Sequence, residues 1–271
     1  LDFDLGKASS LALIQFVICG TVAVMAILIP LPRNDGLGLG LIHTRQDVQR
    51  NRIIDFGFIG ITAAFLILPL ASILIRGAIH LPELPNAVFA AAWTSLWIAL
   101  ISTSLCIGMA LSLALSFART GQTTQKLVEV VGILGLATSP LVVGTGLFLM
   151  IFPFAHPMSL AIPVTAMVNA IMALPFALRV LFPAIRDTYV DYIRLRDSLM
   201  MSSGTWFWKI ILPRINKPLR FAAGLAAALS MGDLGVIALF ADPDLQTLPL
   251  MLYRLMGAYK MDHAAAIAVV L

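Results

Sequence analysis

A single carboxylate, Asp233, lies well inside an apolar stretch of the chain, whereas most other acidic residues lie in polar segments or near the ends of such stretches. In a helix that begins at Leu219, Asp233 is about 21 Å from the start, and a charge that faces lipid at that depth is costly. We therefore expect it to face water or the interior of a helix bundle. It either lines a pore and meets a cationic substrate, or it forms buried hydrogen bonds beside Gly232 and Gly235, where small residues allow close helix packing.

Asn169 and Ser230 are further polar residues that we expect to line such a pore. The four histidines are scattered, whereas metal ligation requires convergent spacing. Nothing groups a serine, a histidine and an aspartate into a triad, and the Gly-x-x-x-x-Gly-Lys-Ser/Thr loop that holds phosphates is absent from the sequence. We expect a protein that is not an enzyme, with no catalytic residue, no metal and no cofactor bound by this chain.

The composition indicates that lipid is part of the solvent of this chain. Hydrophobic residues make up 60% of its 271 residues and charged residues 12%, with a mean hydropathy of +0.95. Soluble domains have about 45–50% apolar and about 25% charged residues. A water-soluble enzyme and a disordered chain are therefore excluded, and two cysteines are too few for a disulfide scaffold.

Continuous apolar runs predict an all-α fold, a polytopic bundle of transmembrane helices. A helix needs about 20 apolar residues to cross the hydrocarbon layer of a bilayer. A further span begins near Ala264 and would be cut short at Leu271, so we expect the sequence to be a fragment of a longer protein. The full-length predicted spans are Leu11–Leu31, Ile53–Ile75, Val88–Phe117, Val128–Phe152, Leu160–Val180 and Leu219–Phe240.

The lysines and arginines predict the orientation of these spans. If the first span runs from outside to inside, all 18 basic residues lie inside except Lys7, Arg76, Arg254 and Lys260. An excess of basic residues marks the cytoplasmic side of a membrane protein. Basic cytoplasmic loops therefore explain the net charge of +4, and we expect the lipid bilayer, not nucleic acid, as a partner.

The longest predicted cytoplasmic segment is Leu181–Lys217. Apolar and charged residues are interleaved in it, which predicts a helix over Val190–Met201. Ser202–Gly204 is expected to break that helix, and a second amphipathic stretch is expected to end at Pro213. The segment is either a solvated loop with an interfacial helix or a docking surface for a cytoplasmic partner.

Ile210–Pro213, near the end of this segment, resembles the cytoplasmic loop signature of the permeases of ABC importers. That signature is a Glu-Ala-Ala run, then a glycine, then a closing Ile-x-Leu-Pro. Arg194–Arg196 stands at the Glu-Ala-Ala positions and Met200 at the glycine, so only the end of the signature matches. Leu174–Arg179 and Ala228–Gly235 are similar to the parts of the permeases that flank this loop.

Asp242–Lys260, taken with Ser230–Phe240, resembles the C-terminal half of the permeases of thiamine transport systems. That family fuses two six-helix halves in one chain and tends to lose the Glu-Ala-Ala residues. The resemblance implies the fold of ABC type I importer permeases. Residues 1–31 would be the last transmembrane helix of a preceding half, 32–52 a cytoplasmic linker, and 53–271 a second six-helix domain that is truncated in its last helix.

The same resemblance implies a multi-pass protein of a bacterial inner (plasma) membrane that imports thiamine or its phosphates by alternating access. ATP and Mg would bind to separate cytoplasmic ATPase subunits, two of them, and a periplasmic solute-binding protein would deliver the substrate. Permeases for ferric iron, sulfate or polyamines share this layout, and an ion-coupled secondary transporter is another alternative. The expected ATPase-coupling loop contains Val190, Ile193, Arg194, Arg196, Leu199, Met200, Gly204 and Pro213.

Overall fold

All regular elements in the described part of the chain are helical. The computed structural model describes residues 48–118, 139–154, 157–240 and 246–271, together with five residues between 14 and 21. The α-helices are α1 (Val48–His80), α2 (Ala87–Phe117), α3 (Pro140–Ile151), α4 (Ala161–Ser198), α5 (Ser203–Trp206), α6 (Leu212–Met231), α7 (Ile237–Phe240), α8 (Leu248–Gly257) and α9 (Met261–Val270). A π-helix, Phe207–Ile211, joins α5 to α6, and 3-10 turns follow α1 and precede α4.

Three helical segments are long and apolar enough to cross a membrane: Asp55–Glu83, Ala87–Phe117 and Ala161–Ser198. They confirm the prediction of an all-α membrane protein. The predicted span Leu11–Leu31 lies almost entirely outside the described residues, as does most of the predicted linker 32–52. The last residues of that linker are helical, because α1 begins at Val48.

Two predicted spans begin or end at other residues than the helices of the structure. Only the end of Val128–Phe152 is described, and there α3 begins at Pro140, directly after Ser139 in an extended conformation. A proline fits this position because the first helical N–H needs no partner within the helix. The fifth predicted span, Leu160–Val180, continues without a break to Ser198 as the 38-residue α4, which includes Pro175 and Pro183.

The predicted sixth span, Leu219–Phe240, is not one helix. α6 ends at Met231, Gly232 caps it through its N–H to the carbonyl oxygen of Ala228, and the next helix, α7, has only four residues. The side chain of Asp233 accepts a hydrogen bond from the N–H of Gly235, at 3.2 Å. Such local bonds compete with the helical ones, so this sequence ends the helix inside its apolar stretch.

Contacts within the chain divide it into two units, and the first contains α3–α7 with most of α2. Within this unit α4 and α6 form an antiparallel hairpin, whose core is rich in alanine, including Ala170, Ala173, Ala177, Ala222 and Ala226. Small side chains let the two backbones approach closely. Since lipid provides little hydrophobic driving force between helices, such close packing is what stabilises them in a membrane.

The second unit contains α1 and α9, which pack against each other at a glycine. A Cβ added to Gly77 would overlap the carbonyl oxygen of Ala265 and Cγ2 of Val269. Elsewhere α1 exposes large apolar side chains such as Phe58 and Phe65, as expected of a lipid-facing surface. The contact at Gly77 is therefore the tight point of this helix pair.

Gly77→Ala is expected to destabilise the protein by about 1–3 kcal/mol, because a methyl group must displace the backbone of α9. Gly60→Ala is the matched control on the same helix, since a Cβ there meets nothing within 4 Å. The control should be neutral or stabilising, because alanine is the better helix former. Thermal unfolding of the purified variants in detergent measures both effects, and equal behaviour of the two would contradict the tight contact.

Candidate functional site

The polar candidates Asn169, Ser230 and Asp233 meet where α4 passes the end of α6. Asn169 and Ser230 are each only 5% exposed. In the amide orientation that pairs both of its polar atoms, Asn169 donates from Nδ2 to Asp233 Oδ2 at 2.9 Å and accepts at Oδ1 from Ser230 Oγ at 3.0 Å. The same amide nitrogen is 3.3 Å from the carbonyl oxygen of Thr165. The structure thus brings together the three residues that the sequence analysis named as candidates for lining a pore.

Asp233 occupies a break between helices, which corrects its predicted position within a continuous span. One carboxylate oxygen binds the N–H of Gly235 and the other the amide of Asn169. The carboxylate therefore joins the break to α4. It is half-buried and forms hydrogen bonds, as one of the two sequence-based interpretations expected, and it also reaches the cavity next to the cluster.

A small polar cavity of about 10 Å³ adjoins this cluster. Its volume is close to that needed by one water molecule, so a vitamin-sized molecule would fit only after the surrounding elements move apart. Polar groups come to it from α2, α4, the break and the start of α8. The lining residues are Ser95, Ile98, Thr165, Ser230, Met231, Asp233, Ile237, Thr247 and Pro249.

Ser95 and Thr247 belong to this site, although the sequence did not indicate them. Ser95 Oγ accepts a hydrogen bond from the N–H of Leu248 at 2.9 Å and so ties α2 to the start of α8. The apolar α2 contains several similar hydroxyl residues, for example Ser102 and Thr103. No sequence signal separates Ser95 from these, because only the tertiary contact with α8 distinguishes it.

The predicted coupling loop forms the tip of the α4–α6 hairpin, not a separate helix. Val190, Ile193, Arg194 and Arg196 lie in the last turns of α4, and the turn is residues 199–202. Ser202 caps α5 by accepting a hydrogen bond from the N–H of Thr205 at 3.3 Å. Because of this cap, the helix break predicted at Ser202–Gly204 lies slightly earlier, and Gly204 is in the first turn of α5.

Met200 stands where the importer signature has glycine, and its backbone has a conformation that favours glycine. Its φ is +46°, in the left-handed region that glycine adopts without steric cost. Its N–H binds the carbonyl oxygen of Asp197 at 3.3 Å, within the turn that ends α4. At this position a residue other than glycine therefore adopts the conformation that is easiest for glycine.

Met200→Gly is expected to stabilise the protein by about 1 kcal/mol, because it removes the contact of Cβ with the backbone in the left-handed conformation. The adjacent Leu199, with φ of −95°, provides the control. Leu199→Gly should destabilise the fold slightly, since glycine there only increases the entropy of the unfolded chain. Thermal unfolding distinguishes the two, and destabilisation by Met200→Gly would contradict the role given to this turn.

The tip presents apolar side chains to its surroundings. Met200 is 92% exposed, Val190 63% and Leu199 62%, while Ile193 is half-buried. Arg194 is exposed beside them. An exposed apolar patch among charged residues is typical of a docking surface, which favours this interpretation over a solvated loop.

Pro213 does not end the second amphipathic stretch, which continues into α6. Proline has no N–H to donate to the carbonyl of Lys209, and its ring would crowd that carbonyl in a regular helix. The wider π turn Phe207–Ile211 precedes it, and the N–H of Leu212 binds the carbonyl oxygen of Phe207. The helix therefore passes through the Ile-x-Leu-Pro sequence by widening, and Pro213 is exposed on its surface.

Aromatic contacts hold the two arms of the hairpin together behind its tip. Trp206 is buried, and its ring lies edge-on to Tyr189 with 6.3 Å between centroids. The guanidinium carbon of Arg214 is 3.9 Å from the centre of the Tyr192 ring, which is a cation–π contact. Asn169 and Val190, on the same α4, are roughly 30 Å apart along the helix, so one hairpin connects the exposed tip with the buried cluster.

Two histidines that are distant in sequence meet in the second unit. The rings of His80 and His263 are edge to face with 6.4 Å between centroids. Among the described residues, no three histidines, cysteines or carboxylates are placed to hold a metal ion. This pair therefore packs α1 against α9 without forming a recognisable metal site.

Comparison with known proteins adds to this geometry. No family model matches the chain. The thiamine transport system permease protein ThiP of Escherichia coli K12 is 32% identical over 280 residues, which include all of this chain and 52% of the relative. The chain is similar to this thiamine transport permease over its whole length. The corresponding proteins of Brucella suis and Haemophilus influenzae are 32% and 30% identical and are likewise about half covered.

These relatives confirm the resemblance inferred from the motifs. The chain spans about half the length of the permeases that it matches, in keeping with similarity to one half of a two-half permease. The chain lacks the Glu-Ala-Ala residues and the glycine of the importer signature, but it has the Ile-x-Leu-Pro end.

Proposed function

We propose that the chain is part of the membrane-spanning permease of an ATP-driven ABC importer for thiamine or its phosphates. The observation that carries the proposal is similarity to ThiP proteins along the whole chain. The protein would lie in a bacterial inner membrane as a multi-pass bundle and alternate between inward-open and outward-open states. It would perform no covalent chemistry itself.

The polar cluster is the proposed contact for the substrate in the membrane. Thiamine carries a positive thiazolium ring, and Asp233 supplies a carboxylate beside the amide of Asn169 and the hydroxyl of Ser230. Among the residues that line the cavity, none is basic. A cation that enters the cavity would meet the carboxylate of Asp233, and no lysine or arginine in the lining would compete for that carboxylate. The attraction between the two charges is stronger where water is sparse.

The hairpin tip is the proposed contact for the ATPase. Two cytoplasmic ATPase subunits would bind ATP and Mg, and one would bind the apolar patch at Val190, Leu199 and Met200. Closure of the ATPase pair would then push on the tip, and the α4–α6 hairpin would carry the movement to Asn169 and Ser230. The aromatic contacts behind the tip support such a lever because they keep both arms together.

A periplasmic solute-binding protein is the proposed partner on the other side. α8 buries its first residues, Leu248–Leu250, and exposes Tyr253 and Met256 further along. Tyr259, just after α8, is also exposed. Aromatic and methionine side chains of this kind are common at protein interfaces, so this segment is the surface on which we expect delivery of thiamine.

Uptake by reconstituted vesicles tests the function directly. The complete permease as cells produce it is placed in liposomes with its ATPase and binding protein, and labelled thiamine is supplied outside. We expect accumulation that requires ATP hydrolysis and is competed by unlabelled thiamine. Uptake of ferric iron, sulfate or a polyamine instead, or uptake driven by an ion gradient without ATP, would contradict the proposal.

A further inference from the structure

Two buried hydroxyl groups in the first unit have no hydrogen-bond partner among the described residues. They are Thr165 Oγ1, in α4, and Thr247 Oγ1, just before α8. The residues are 2% and 3% exposed, respectively. A buried hydroxyl without a partner is destabilising, and polar groups of this kind are usually satisfied by protein or by ordered water.

Both threonines line the small cavity beside Asp233. The volume of about 10 Å³ is at the lower limit for one water molecule. A water also needs two to four polar partners, and the lining offers the two threonine hydroxyls and the Asp233 carboxylate, with Ser95 and Ser230 nearby. Size and polarity of the cavity thus both match a single water.

We propose that this cavity binds one internal water molecule, which bridges the hydroxyls of Thr165 and Thr247 to the carboxylate of Asp233. The hydroxyls and the carboxylate together supply both donors and acceptors, so the water can satisfy groups from α4, the helix break and the start of α8. If α4, the helix break and the start of α8 move apart, neither hydroxyl loses its hydrogen-bond partner, because further water can enter the widening space. The proposal concerns the folded protein and does not depend on which substrate is transported.

Threonine-to-valine substitutions test the proposal by the sign of the change in melting temperature. Valine has nearly the shape of threonine but no hydroxyl. If water bridges the hydroxyls, Thr165→Val and Thr247→Val each leave the water and Asp233 with a missing partner, and we expect a fall of about 2–4 °C. If the hydroxyls are instead dry, the same substitutions remove a buried orphan and the melting temperature rises.

Thr103→Val is the matched control. Its Oγ1 is also buried without a partner among the described residues, but Thr103 does not line the cavity. We expect this substitution to leave the melting temperature unchanged or to raise it. A rise for Thr165→Val and Thr247→Val as well would overturn the proposal.

Two further measurements address the identity of the occupant. X-ray irradiation of the purified protein splits bound water into radicals that oxidise nearby side chains. Met231 lines the cavity, so we expect irradiation to oxidise it. The oxidised fraction of Met231 should be at least threefold lower in the Thr165→Val/Thr247→Val double variant. Unchanged oxidation would contradict the proposal. Replacing choline by sodium in the buffer should not alter the melting temperature; a rise that the double variant lacks would identify a cation as the occupant and overturn the bridging water.

Discussion

Asp233→Asn is expected to reduce ATP-driven thiamine uptake at least tenfold while the protein still folds and inserts. Asparagine has nearly the shape of aspartate, and its side-chain oxygen can still accept the hydrogen bond from the N–H of Gly235. It loses the charge and the Oδ2 acceptor, so the amide of Asn169 must turn until its oxygen faces the new NH2 group and its nitrogen donates to Ser230 Oγ. Loss of about 1.4 kcal/mol of attraction to a cation corresponds to a tenfold effect. Uptake in reconstituted vesicles and melting temperature are measured on the same preparation.

Two companion variants separate the charge from the hydrogen bonds. Asp233→Ala removes both acceptors and leaves the amide of Asn169 without its partner, so it should also destabilise the fold by about 1–3 kcal/mol. The exchange Asn169→Asp/Asp233→Asn keeps an amide–carboxylate pair but moves the charge to α4. The exchange variant should restore stability but not uptake. Normal uptake by the Asp233→Asn variant would show that the charge at position 233 has no part in transport.

Leu199→Asp is expected to uncouple the permease from its ATPase and lower uptake by at least tenfold. Leu199 is 62% exposed in the turn at the hairpin tip, so a charge there is tolerated by the isolated fold. In a docked complex the same charge would be buried in an apolar contact, which is strongly unfavourable. Copurification of the ATPase with tagged permease and thiamine uptake are the two measurements.

Leu199→Met provides the control, because it keeps an apolar side chain of similar size at the same position. It should retain both copurification and uptake. Met200→Asp should act like Leu199→Asp, since aspartate is tolerated in the left-handed conformation of that residue. Normal uptake together with an intact complex in both aspartate variants would refute the assignment of the tip to ATPase docking.

Helices whose formation depends only on the residues within them were predicted well. The apolar runs at Ile53–Ile75 and Val88–Phe117 are helices because a continuous apolar run of about 20 residues must satisfy its backbone internally in lipid, and no other residues are needed for this. α1 extends beyond its run at both ends, to Val48 and His80. The ends depend on capping and contacts, which hydropathy does not report.

The prediction was wrong where a local bond or a tertiary contact competes with the hydropathy pattern. The run Leu219–Phe240 predicts one span, but the Asp233 side chain binds the N–H of Gly235 and the helix ends at Met231. The proline of the Ile-x-Leu-Pro sequence predicts a helix end, yet a π turn lets the helix continue through it. In both places the decisive interactions lie within a few neighbouring residues.

By itself, the sequence determined that this is an all-α membrane protein with an amphipathic segment between two apolar runs and one carboxylate in an apolar stretch, because composition and runs of residue type act locally. The tertiary structure alone decided that Asn169, Ser230 and Asp233 meet and that Ser95, Thr165 and Thr247 share their cavity. These residues come from four separate parts of the chain, around residues 95, 165–169, 230–233 and 247. Their meeting depends on the antiparallel packing of α4 and α6, which no single segment encodes, and on a helix break that the residues around Asp233 set locally.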